Sequence, residues 1–83
     1  MYKVRVVDNI SATVLKKDMT FNVPCLTEND AKEWVDFDIR LWKTAYKNEG
    51  KVFRYRRNGA KTRGWVEGIK EYWIKYEIMK GEE

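Results

Sequence analysis

The chain has no histidine, one cysteine (Cys25) and one proline (Pro24) in 83 residues. Without histidine it lacks the commonest general base, the Ser/His and Cys/His nucleophile pairs and most zinc sites. A single cysteine excludes an internal disulfide, and a thiolate metal site needs several Cys or His ligands. Cys25, next to Pro24, therefore reads as a small buried hydrophobe in a reducing compartment. No apolar run approaches the roughly 20 residues that span a bilayer. No apolar stretch of signal-peptide type follows Met1-Tyr2-Lys3-Val4-Arg5. The expectation is a cytoplasmic protein with no membrane partner.

Paired catalytic carboxylates are also missing. Asp36 and Asp38 stand two apart on an expected helix, so they face different directions. Glu67, Glu71 and Glu77 are scattered, and Glu28, Asp30 and Glu33 suit a helix start. Gly59-Ala60-Lys61-Thr62 lacks the spacing that precedes the lysine of a phosphate-cradling loop. No set of nucleophile, base and oxyanion donor is completed. The sequence thus predicts no catalytic residue, no metal ligand and no cofactor.

What is present is aromatic and charged. Four Trp, five Tyr and three Phe offset the small fraction of surface, about 60%, that so short a chain can bury. One domain over residues 1–83 is expected, with a frayed tail at 80–83.

The clearest element is a helix over about 28–48. On a wheel of about 100° per residue, Ala31, Trp34, Val35, Leu41, Trp42, Ala45 and Tyr46 form one face, centred on Asp38. Lys32, Glu33, Asp36, Arg40, Lys43, Thr44 and Lys47 form the other, an amphipathic pattern with one side against a core. Thr27 is a suitable N-cap and Gly50 a suitable stop. An unpaired buried carboxylate costs several kcal/mol. Asp38 is therefore expected to find an Arg, Lys or Tyr of the sheet, the alternatives being a place in a binding site or a helix rotated further than the wheel suggests.

Alternation of apolar and polar residues predicts strands over Tyr2–Val7 and Met19–Val23 before the helix, and over Lys51–Arg57 and Tyr72–Met79 after it. Pro24 ends its strand or places it at an edge. Ser11–Lys16 fits a further short strand or a continuation of the first after a bend, and Lys17-Asp18 a turn. Asn58-Gly59 is a good turn dipeptide, but Asn58–Gly64 is long enough for an open loop. Ile69, Tyr72, Trp73 and Tyr76 also fit a helical face, but β-branched and aromatic residues favour the strand. The expected fold is α+β: two layers in ββαββ order, one amphipathic helix on a mostly antiparallel sheet.

Charge points to function. The formal net charge is +4, and the stretch Lys51–Arg63 holds six of the 17 basic residues and none of the 13 acidic ones. Lys51, Arg54, Arg56, Arg57, Lys61 and Arg63 suit phosphate contacts. Tyr55 and Trp65, and Trp73 further along the chain, offer stacking platforms for unpaired bases. The leading expectation is a non-enzymatic module that binds nucleic acid through this strand and loop, although no specific nucleic-acid motif is present. The rival is a protein-binding regulator or inhibitor of a cellular enzyme, of the kind phage and mobile-element accessory genes encode. Its contact surface would be the open sheet or the helix flank at Phe37 and Ile39. A homodimer through a strand edge or sheet face is a third possibility.

Overall fold

The computed structural model describes residues 1–10 and 19–81. The expectations for Ser11–Lys16 and for Lys17-Asp18 lie outside the described residues, as do residues 82–83 of the tail expected to fray over 80–83. The first part of that tail is paired, Lys80 closing the last strand and the Gly81 N–H donating to the Met1 carbonyl at 2.8 Å. Elements follow the order β1 (Tyr2–Asp8), β2 (Met19–Cys25), α1 (Glu28–Asn48), β3 (Phe53–Asn58), β4 (Lys61–Val66) and β5 (Trp73–Lys80). The strands form one sheet in the order β2-β1-β5-β4-β3, with every pairing antiparallel. The helix packs on one face, giving the expected two-layer α+β architecture.

The helix begins as its sequence dictates. Thr27 accepts the Asp30 backbone N–H on its side-chain oxygen at 3.1 Å, satisfying one of the orphan donors of the first turn. Gly50, at φ 75°, turns the chain away after the last turn. Ala31, Val35, Ile39 and Tyr46 are buried against Val4, Val6, Phe53, Val66, Ile74 and Tyr76 of the sheet. Tyr46 and Phe53 stack with ring centroids 6.1 Å apart.

The helix is rotated from the expected orientation. Ile39, expected at the flank, is 3% exposed, while Leu41, expected in the stripe, is 52% exposed. Ala45 also faces solvent, and Trp34, Asp38 and Trp42 are half-buried. Exchanging Leu41 for Ile39 keeps the apolar area and moves Asp38 from the centre of the interface to its border. That position avoids stripping the carboxylate of water. There Asp38 Oδ2 accepts a hydrogen bond from the Tyr76 hydroxyl. Burial first, and then this bond, push the Tyr76 hydroxyl well above its ordinary pKa. The nearby Trp42 indole N–H acts weakly in the opposite direction, yet among the described residues it meets no acceptor in hydrogen-bonding geometry.

Asn58–Gly64 is not an open loop. Asn58 pairs with Lys61 in a tight hairpin, and Gly59 takes a φ of 59° that suits glycine. The chain then continues as β4, a strand the composition concealed. Its alternation places Thr62, Gly64 and Val66 inward and Lys61, Arg63 and Trp65 outward. Gly64 leaves room for the Phe53 ring: an added Cβ would overlap that ring and approach Ile74 Cγ2 to 3.1 Å. The final strand runs Trp73–Lys80, against the expected Tyr72–Met79. Its start is held by Asn9, whose side-chain oxygen accepts the Trp73 N–H at 2.8 Å. The Asn9 side-chain amide also donates to the Glu71 carbonyl. Pro24 lies on edge strand β2, where its missing donor breaks no ladder.

Candidate nucleic-acid interface

The strand registers determine which side chains share the face opposite the helix. Val4, Val6, Tyr76, Thr62 and Phe53 point toward α1, so their neighbours along each strand point away. Three cross-strand rows follow. One is Asn58, Lys61, Glu77 and Arg5; the next is Arg56, Arg63, Lys75 and Val7; the third contains Arg54, Trp65 and Trp73. Among the described elements none packs on this face. It carries a shallow groove of about 730 Å³ whose lining includes Arg5, Arg56, Arg63, Trp65, Trp73 and Lys75.

The middle row is unusual in its charge. Arg56 lies directly opposite Arg63, and Arg63 directly opposite Lys75, so three cations stand side by side across β3, β4 and β5. Like charges in this relation are destabilising, on the order of 0.2–1 kcal/mol per pair. All three side chains are exposed. Among the described residues none of them has a carboxylate partner within ion-pair distance. Lys75 Nζ instead lies 4.6 Å above the Trp73 ring, a cation–π contact. The flanking rows are better neutralised: Lys61 stands opposite Glu77, and Arg54 bridges Glu67 at 3.1 Å.

The structure divides the residues that the sequence grouped together. Arg54, Arg56, Lys61, Arg63 and Trp65 share the open face. Tyr55 and Arg57 lie on the helix side, because they alternate with Arg54 and Arg56 along β3. Arg57 Nη2 pairs with Asp36 Oδ1, and Lys43 Nζ sits 4.7 Å over the Tyr55 ring. Both residues thus belong to the seam between α1 and β3 and cannot join Trp65 in one contact surface. Lys51 lies in the connection between α1 and β3, exposed, with its N–H bound to the Tyr46 carbonyl. Arg5 and Lys75 were missed as members of the patch, while Trp73, expected as a stacking platform, stands on its open face opposite Trp65. Their outward parity was legible, but their neighbours depend on β5 lying between β1 and β4.

Among the described residues no group of three His, Cys, Asp or Glu side chains could hold a metal ion. No described helix is long and apolar enough to cross a membrane. Cys25 is buried, and its thiol donates weakly to the Val23 carbonyl at 3.8 Å. Burial, and secondarily the charge of Asp30, push its pKa up. No protein-family profile, curated protein or solved structure matches the chain.

Proposed function

We propose that the chain is a non-enzymatic module that binds nucleic acid electrostatically through its open sheet face. The observation that carries this reading is the Arg56–Arg63–Lys75 row. A fold that only needed a solvated surface would gain stability from a carboxylate at any of these three positions. A polyanion offsets the repulsion of all three at once, and release of its counterions drives association. Arg5 and Lys61 extend the positive surface along the sheet. Relative to the sequence-based site, the interface gains Arg5 and Lys75 and loses Lys51, which lies in the connection before β3, and Tyr55 and Arg57, which face the helix side. A chain with one buried cysteine suits a cytoplasmic setting for this role.

The test is anisotropy of a labelled nucleic-acid oligomer titrated with the protein. Arg56→Ala combined with Arg63→Ala and Lys75→Ala should weaken binding at least tenfold. Arg57→Ala, on the opposite face, should leave it within about twofold. Equal effects from the two faces would refute the assignment of the interface.

A second reading, a protein-binding regulator or inhibitor, draws on the helix flank. Phe37 and Leu41, one turn apart, are 53% and 52% exposed, and exposed aromatics are frequent interface anchors. Ile39, expected beside Phe37, is buried and cannot take part. Recovery of one stoichiometric protein partner from nuclease-treated lysate, lost on Phe37→Ala, would favour this reading.

A further inference from the structure

Within the nucleic-acid reading above, on which this step rests, we infer that the ligand is an unpaired strand. Its bases stack on Trp65 and Trp73 while its phosphates lie along Arg56, Arg63 and Lys75. The shape of the face does not fit the major groove of an undeformed duplex. Five strands about 4.8 Å apart make a platform roughly 19 Å across, wider than the major groove of about 12 Å that admits a helix or a two-stranded ribbon. Among the described elements none rises from this face to enter a groove. A duplex would rest on the cations and leave the tryptophans without partners.

The two indoles are placed for a different ligand. Trp65 and Trp73 are directly opposed on β4 and β5 and half-buried. They are neither paired in a stack with each other nor covered by another ring. They lie two residues along the strands from Arg63 and Lys75, a separation of about 6.8 Å. That is the scale of a single nucleotide. The face of Trp73 receives the Lys75 ammonium at 4.6 Å, so a stacking base takes the place of that cation. A base that displaces this ammonium frees it to meet the adjoining phosphate. Every base has a π-face, so such a platform tolerates many sequences.

The experiment compares a fluorescein-labelled oligothymidylate of about 15 nucleotides, near the upper site size of one small sheet module, with a blunt duplex of the same length at equal salt. The single strand should bind at least tenfold tighter and quench tryptophan emission. Trp73→Ala and Trp65→Ala should each weaken single-strand binding by about five- to a hundredfold. Both should leave duplex binding and the salt dependence unchanged. Trp73→Phe, which keeps a ring, should retain most of the affinity and guards against a folding defect. Equal or tighter duplex binding would overturn the inference and leave the electrostatic reading standing, as would indifference to both tryptophan substitutions. Failure of both oligomers to bind in a salt-dependent way would overturn the two together.

Discussion

The bond between Tyr76 and Asp38 offers a quantitative check on how the helix is seated. Tyr76 is 1% exposed, and its hydroxyl donates to a carboxylate at the border of the helix–sheet interface. A hydrogen bond to a charged group contributes about 1.5–3 kcal/mol, and a buried donor left alone costs about 1–3 kcal/mol. Asp38→Ala should therefore lower stability by about 2–4 kcal/mol, since it removes the acceptor and strands the hydroxyl. Tyr76→Phe should cost less, about 1–2 kcal/mol, because Asp38 is half-buried and can turn to water. The double variant should lose less than the sum of the two, with a coupling energy of about 1.5–3 kcal/mol. Urea unfolding followed by circular dichroism supplies all four corners of the cycle. In thermal melts, Asp38→Ala should lower Tm by about 8–30 °C, given about 4–8 °C per kcal/mol in a domain of this size. Additive losses, or a neutral Asp38→Ala, would show that the helix sits in another rotation.

Three further outcomes follow from the same coordinates. The folded-state pKa of the Tyr76 hydroxyl lies above its ordinary value of 10.0, and that of Tyr46 is shifted the same way, in both cases chiefly by burial. The folded state then holds protons that the unfolded chain gives up, so this stability is intact below pH 10 and is lost as the pH rises beyond it. Melts from pH 8 to 12 should show the fall, and Tyr76→Phe should flatten it. Gly64→Ala should destabilise by about 1–3 kcal/mol through overlap with the Phe53 ring, read from the urea midpoint. Arg63→Glu should raise stability by about 0.5–2 kcal/mol at low salt, because it places a carboxylate between Arg56 and Lys75. The same change should abolish oligonucleotide binding; a variant that loses stability would argue against repulsion in the cation row.

The helix was legible because its signals agreed. Thr27 caps it, the charges follow its dipole, and Gly50 ends it. Its rotation was open in the sequence as one of three readings of Asp38: the wheel centres the apolar face on that carboxylate and favours Leu41, while the cost of burying it favours Ile39. Strand β4 was hidden for a different reason. Lys61-Thr62-Arg63-Gly64 has the polarity of a loop, and glycine ordinarily weakens a strand. Here the glycine is demanded by the Phe53 ring, a contact absent from any local pattern. The basic character of Lys51–Arg63 was evident in composition, and alternation already set Arg54 and Arg56 opposite Phe53 and Tyr55; what it did not give was that Lys61 and Arg63 continue that face as a strand. Arg56 and Arg57, adjacent in sequence, end on opposite sides of the sheet. The partnership of Arg63 with Lys75 required the order of strands, which local alternation leaves open.

The patch also shows how an edge is managed. Edge strand β3 carries Arg54, Arg56 and Arg57 in succession. Exposed charge on an edge discourages strand-to-strand aggregation. That role accounts for charge at β3 but not for the matching cations at Arg63 and Lys75 on the interior strands. Those two positions are why the open face is assigned a polyanionic partner.

The salt dependence of oligonucleotide affinity tests this assignment most directly. If Arg5, Arg56, Lys61, Arg63 and Lys75 each meet a phosphate of a single strand, log K should fall with log salt at a slope of about −3.5. Replacing Arg56, Arg63 and Lys75 by alanine should reduce its magnitude by about 2. A flat profile in the wild type, or a slope unchanged by the triple substitution, would contradict the account.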